Sequence, residues 1–251
     1  MLVVIPLLMF KGSGIGLTKI RITDLKVKSR QYYVSSLSVM AQTQDILLIG
    51  LIVPSDQLGV YAVATRFASI VALPRTMAGI SYAPEVARIF RDQGKEAALM
   101  HTRKTTRNIM PMTLVLAIVI LPVGFFVLDL LGAEFRAGYP VLILLAATHL
   151  LLAFIGHSGL LLMMAGHGRF QMSDFLLSAS VMIVLLIMLV PSLGILGGGI
   201  AMLAAALARA IFGTIAIQQV FGKGITALHV FGRLDQTSES LRVVNSKSRT
   251  D

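Results

Sequence analysis

Four charged residues fall inside long hydrophobic stretches of this chain: Asp45, Arg66, Arg75 and Arg209. A charge near the centre of a bilayer costs at least about 2.5–3.5 kcal/mol on insertion scales, so such a residue turns toward a protein interior or a wet cavity. Asp45 ends a stripe: Gln31, Ser35, Ser38, Gln42 and Asp45 are spaced 4, 3, 4 and 3 apart, one continuous polar face on a helix. That face either lines a cavity, with Ser38 and Gln42 as binding groups, or glues helices together through hydrogen bonds. Asp45 and Arg66 lie at similar depth, roughly 10–12 Å from one end of consecutive antiparallel spans, so an ion pair between them is allowed. The pair would be a proton- or cation-sensitive switch that releases Arg66 to an anion, or a static neutralisation of two awkward charges. Arg75 follows Pro74 and points away from Arg66 unless the proline kinks the helix; it snorkels toward headgroups or joins a cavity. Arg209 sits among Ala201, Ala204, Ala205, Ala206, Ala208 and Ala210, a setting of close helix approach that turns it to a cavity rather than to lipid.

The elements that must position these residues are membrane spans. A span needs about 20 mostly apolar residues, and the chain of 251 residues is 56% hydrophobic and 14% charged, with a mean hydropathy of +0.82. Spans are predicted at 32–53, 59–83, 109–131, 139–165, 174–191 and 197–221, a six-helix all-α integral membrane bundle. Before it come an apolar segment at 1–10, read as the end of a preceding helix or a short interfacial anchor, and a basic linker at 11–31. A basic loop at 85–108 is expected to form an amphipathic helix at the cytoplasmic surface. A polar tail occupies 222–251. Turns are expected at 54–57, 132–138, 166–173 and 191–197, the last with Gly197, Gly198 and Gly199 marking a tight helix start.

Charge gives the orientation. Of 22 Lys and Arg, 18 lie in the linker, the 85–108 loop, the short turn holding Arg169 and the tail; Arg136 alone lies on the opposite side. The positive-inside rule then predicts a multi-pass protein of the cell inner (cytoplasmic) membrane with both termini cytoplasmic. The same rule accounts for a net charge of +10 by attraction to membrane lipids, and no aromatic-basic module calls for nucleic acid.

Several chemistries are excluded. There is no cysteine, so no disulfide or thiolate metal site. The five histidines show no metal-ligand spacing; His149 and His157 share one apolar span and read as packed side chains sooner than as a proton relay. No paired carboxylates and no nucleophile motif are present, so no enzyme and no cofactor is expected. The glycines at 12–16 resemble a phosphate loop only superficially, lacking the preceding strand and the Lys-Ser/Thr.

The run Gln44-Asp45-Ile46-Leu47-Leu48-Ile49-Gly50, followed by Leu58-Gly59-Val60-Tyr61-Ala62-Val63-Ala64-Thr65-Arg66, resembles the polysaccharide flippases of the O-antigen and teichoic-acid exporter type. More broadly it is similar to the multidrug, oligosaccharidyl-lipid and polysaccharide exporter superfamily. Pro84-Glu85-Val86-Ala87-Arg88 and Leu131-Gly132-Ala133-Glu134-Phe135 resemble further family segments in the same order, so the likeness spans roughly 30–221. It implies one lobe, the carboxy-terminal one, of a two-lobed exporter around a cationic cavity. Its implied activity is translocation of a lipid-linked oligosaccharide or polysaccharide precursor by alternating access, coupled to an ion gradient. In that frame Arg66, Arg209, Arg75, Gln42 and Ser38 line the substrate cavity and Asp45 couples the ion. The expected partners are a lipid-linked glycan, membrane lipids and a missing amino-terminal lobe or second chain. Alternatives are a multidrug or cation antiporter of the same superfamily, disfavoured by the excess of arginine, and a non-transporting scaffold or a glycan polymerase.

Overall fold

The computed structural model describes residues 45–222. The 1–10 and 11–31 segments, the span up to residue 44 with Ser38 and Gln42, and the tail beyond Gly222 lie outside the described residues. Those described form helices without a strand: α1 (Asp45–Gly50), α2 (Ser55–Val71), α3 (Leu73–Leu131), α4 (Ala133–Arg136), α5 (Tyr139–Ile155), α6 (Ser158–Met164), α7 (Gly168–Leu193) and α8 (Ile195–Phe221). Four segments are long and apolar enough to cross a membrane: 73–131, 133–164, 168–193 and 195–221. The fold is an all-α membrane bundle.

Helix ends follow from glycine and proline. Pro54 precedes α2 in extended geometry, where its missing N–H removes nothing from the first turn. α7 runs through Pro191 and stops at Gly194, whose φ of 57° lets the chain reverse into α8 within one residue. The 191–197 turn expected from sequence is therefore a single residue, and the three glycines beyond it are helical. They are spaced about 100° apart around α8, and each meets a different neighbour. A Cβ at Gly197 would lie 2.6 Å from the Leu189 carbonyl group on α7, at Gly198 2.5 Å from Ile49 on α1, and at Gly199 3.0 Å from Leu144 on α5. α8 is thus gripped on three sides at this end of the bundle.

The 85–108 segment is helical on both sides of Gly94, whose φ of 85° and ψ of −174° lie in a region open essentially to glycine alone. The chain folds back there. Tyr82 Oη and Thr102 Oγ1, twelve residues before and eight after the glycine, are 2.6 Å apart, whereas a straight helix would separate them by about 30 Å. Val86, Ala98 and Leu99 are buried between the arms and the bundle, while Arg88, Arg91, Lys95 and Lys104 stay exposed. The segment is a helical hairpin that extends the second and third spans, with its amphipathic faces turned on each other and on α6.

Two larger apolar cores and a smaller cluster of Val71, Ala117, Ile120 and Ala146 result. One, far from the hairpin, joins Ile49, Tyr61, Leu128, Leu142, Met182, Leu186 and Ala201 from α1, α2, α3, α5, α7 and α8. The other, at the hairpin end, joins Tyr82, Val86, Leu99, Leu161, Leu162 and Ile217. Large apolar side chains such as Val115, Ile118, Phe126, Ile187 and Ile211 cover the outside of the bundle, the pattern of a protein whose solvent is hydrocarbon.

Candidate functional site

Between the two cores every long element supplies polar groups. Along the chain from α2 into α3, Ala68 packs in the far core and Tyr82 in the hairpin core, with Arg75 between. α5 and α6 run from Leu145 through His149 and His157 to Leu161. α7 passes from Met182 to Ser178, Asp174 and Gln171, and α8 from Ala205 to Arg209 to Ala216. Helical periodicity keeps one face inward through both cores, so a polar residue on that face at the intermediate height is enclosed by the bundle.

The centre of this layer is an ion pair. Arg209 Nε donates to Asp174 Oδ2 at 3.2 Å, the two side chains being 21% and 8% exposed. The guanidinium also lies 4.4 Å from the centroid of the Phe175 ring, a cation–π contact that holds the fork flat. A second guanidinium, that of Arg75, lies within electrostatic range of Arg209 and of both His149 and His157. Among the described residues, five buried side-chain polar atoms have no hydrogen-bond partner: Arg75 Nε, His149 Nδ1, His157 Nδ1, Gln171 Oε1 and Asp174 Oδ1. All belong to this layer, and a buried polar group without a partner is the exception in folded proteins. Under Arg209 lies a cavity of about 40 Å³, lined also by Thr148, Ser178, Met182 and Met202.

The layer depends on a broken helix. α5 ends at Gly156, with φ of 64°, and α6 restarts after His157. A side chain at Gly156 would collide with Thr106 on the second arm of the hairpin. The break turns His157 inward, where its ring stacks on Tyr82 at 5.0 Å and approaches Gly79, whose Cβ would lie 3.0 Å from Nε2. Tyr82 also stacks on His101 at 5.8 Å, and His101 Nε2 lies 3.5 Å from Glu85.

The other charged positions singled out by sequence lie elsewhere. Asp45 is buried in the far core and accepts a 2.6 Å hydrogen bond from Tyr61 Oη. It does not pair with Arg66. Five residues separate Tyr61 from Arg66, about 140° around α2, so when Tyr61 faces Asp45 the arginine faces outward, and Arg66 is exposed. Arg75 and Arg209 thus lie in the layer between the cores, while Asp45 bonds Tyr61 in the far core and Arg66 faces outward.

Sequence reasoning missed Asp174, Gln171, Tyr61 and Tyr82, and treated the two histidines as packing. Asp174 was placed at a span boundary, whereas α7 begins at Gly168 and carries it nearly two turns inside. The signal was present: Gln171, Asp174 and Ser178 repeat the 3 and 4 spacing that drew attention to the first span.

No family model matches the chain, and no curated protein matches it. Among solved structures it is similar to a MOP superfamily transporter from Pyrococcus furiosus, with a TM-score of 0.55 and 18% sequence identity over 76% of this chain. The match covers 42% of that transporter, so the chain spans under half of its length. The likeness is one of fold.

Proposed function

We propose that this chain is the carboxy-terminal lobe of a transporter that moves a lipid-linked oligosaccharide or polysaccharide precursor across the inner membrane by alternating access. The observation that carries the reading is the match of this helical bundle to less than half of a MOP superfamily transporter. Transporters built from related halves place the substrate between them, near mid-membrane. Arg66 supports such a face, because it is exposed on α2 about 16 Å from the helix start at Ser55, where lipid would be a poor neighbour. Opposed to a second lobe, in this chain's own longer form or in a partner chain, the arginine would meet a shared cavity.

In this reading Arg66 attracts the diphosphate of the carrier lipid, since the guanidinium fork matches phosphate oxygens. Arg75 and Arg209 contribute positive potential from the interior, and Ser38 and Gln42 contribute polar groups from the first span. Asp45, held by Tyr61, couples proton or cation binding to rocking of the lobe. The hairpin and both termini face the cytoplasm, by the positive-inside rule. No step requires a cofactor or covalent chemistry.

The test is a flipping assay on the complete transporter in vesicles. Arg66→Ala should lower transport of the lipid-linked glycan at least tenfold, and Asp45→Asn should remove its dependence on the ion gradient. Undiminished transport by Arg66→Ala takes that residue out of the mechanism. Undiminished drug efflux alongside an absence of glycan flipping would favour the multidrug alternative.

A further inference from the structure

The two halves of α3, before and after Gly94, leave a groove on the outside of the bundle. It measures about 410 Å³ and is lined by Pro74 from the first half and by Pro111, Met112, Val115 and Leu116 from the second. Every lining side chain is apolar, and Pro111, Met112 and Val115 are exposed. The two prolines contribute short rings where longer side chains would close the gap.

Sequence fixes the depth of this groove. From Ile109 to Leu128 the second half runs for twenty residues without a charge, the length that crosses the hydrocarbon. The groove therefore occupies the first two turns inside the membrane at the hairpin end, and the turns just outside it are basic. No acidic residue occurs from Ala97 to Leu128, whereas Arg103, Lys104 and Arg107 fall shortly before Ile109. Lys104, Asn108, Pro111 and Val115 are spaced 4, 3 and 4 apart and all are exposed, so one helix face runs from the lysine into the groove. Lys104 stands about 10 Å from Pro111 along the axis, at headgroup height. It makes no ion pair among the described residues, and Glu85, across the hairpin, is engaged by His101 at 3.5 Å.

Hydrocarbon alone does not select an occupant, because lipid tails are as apolar as the groove. A tail seated there restores the dispersion contacts that an empty groove forfeits, and the choice among lipids falls to the headgroup. An exposed lysine above the groove, with no acid to answer it, favours a phosphodiester that carries no positive group of its own. We propose that the groove and Lys104 together hold one anionic glycerophospholipid of the hairpin-side leaflet, its tail between Pro74 and Met112 and its phosphate at the ammonium. The lipid fills the seam between the two spans that the Gly94 hairpin joins. Its residues are distinct from Arg66 and from the polar layer, and the site rests neither on the glycan reading nor on which side of the membrane the hairpin faces.

The chain has no tryptophan, so a single one reports on the lipid beside it. Val119→Trp places the ring one turn beyond Val115 on the same helix face, and Leu177→Trp places one at similar depth on α7, away from the groove; both positions are exposed. The full chain is reconstituted in vesicles of phosphatidylcholine and phosphatidylglycerol, with brominated tails on one lipid or the other. Fluorescence quenching then gives the relative affinity of the two lipids at each ring. Phosphatidylglycerol should be preferred about fivefold at Val119→Trp and not at all at Leu177→Trp. Adding Lys104→Gln should bring the groove down to the value at Leu177→Trp. Val115→Phe, which fills the groove and keeps the charge, should do the same. Equal preference at the two rings overturns the proposal, since it describes ordinary boundary lipid. So does a preference that survives Lys104→Gln, and so does one that survives Val115→Phe, which would put the lipid on the basic surface without the groove. Should Val119→Trp fail to fold, Ile118→Trp, also exposed, carries the same measurement.

Discussion

Asp174 and Arg209 show how an enclosed charge pair differs from a surface one. The Asp174 carboxylate, 8% exposed, cannot rehydrate when its partner is removed, so Arg209→Met should destabilise the bundle by about 3–5 kcal/mol, the usual result of stranding one member of a buried pair. The double change Asp174→Leu with Arg209→Met should recover most of that loss, measured by denaturation in detergent; a double variant as unstable as the single would show that Arg209 acts through packing on Phe175 instead. Tyr61 offers a smaller case. Tyr61→Phe removes the 2.6 Å bond to Asp45 and should cost about 1–3 kcal/mol, because the carboxyl group stays buried. Arg66→Ala, on the exposed face, should leave stability within about 0.5 kcal/mol of the parent. At this scale the sequence was informative about which residues were out of place and silent about their partners. Asp45 and Arg66 matched in depth, but depth says nothing about rotation, and the 140° between Tyr61 and Arg66 decided the pairing.

Helices were legible wherever apolar length alone marks them. The spans at 109–131, 139–165, 174–191 and 197–221 each correspond to helix, because some twenty apolar residues have no other way to satisfy their backbone in hydrocarbon. The interruptions were harder to see. Gly94 and Gly156 each end a helix, yet their neighbours carry ordinary helix formers, and the need for a positive φ comes from what packs against them. Gly197, Gly198 and Gly199 look like turn residues in sequence, and their helical role depends on three neighbours that only the assembled bundle provides. Gly198→Val should therefore prevent α8 from docking, since even a Cβ would lie 2.5 Å from Ile49 and 3.1 Å from Tyr61; protease resistance of the purified protein would be lost. Gly94→Ala meets nothing nearby, so it should cost only the strain of its backbone, about 1–3 kcal/mol, with the fold retained.

At the scale of the whole molecule, the 251 residues contain no cysteine, so a single thiol placed among them is a clean reporter of this chain. A cysteine at Lys95, near the hairpin tip, and one at Glu134, near the opposite end, should label from opposite sides of intact cells, the first only after permeabilisation. Labelling of both from outside would contradict the expected orientation. In the assembly proposed above, with a second lobe opposed, Arg66→Cys should react with a water-soluble maleimide while Ile118→Cys, on the outward apolar surface, should not; equal protection of both would place Arg66 against lipid. The connection between α7 and α8 has a further consequence, for how the chain enters the membrane. Only Gly194 separates these helices, and each carries one member of the Asp174–Arg209 pair. Presented singly to a translocon, each helix would bear a bare charge at a cost of about 2.5–3.5 kcal/mol. Presented as a hairpin, they partition together with the carboxylate already answered by the guanidinium. Ribosomes stalled before α8 emerges should leave α7 loosely committed to the bilayer, and the arrival of Arg209 should be the event that commits it.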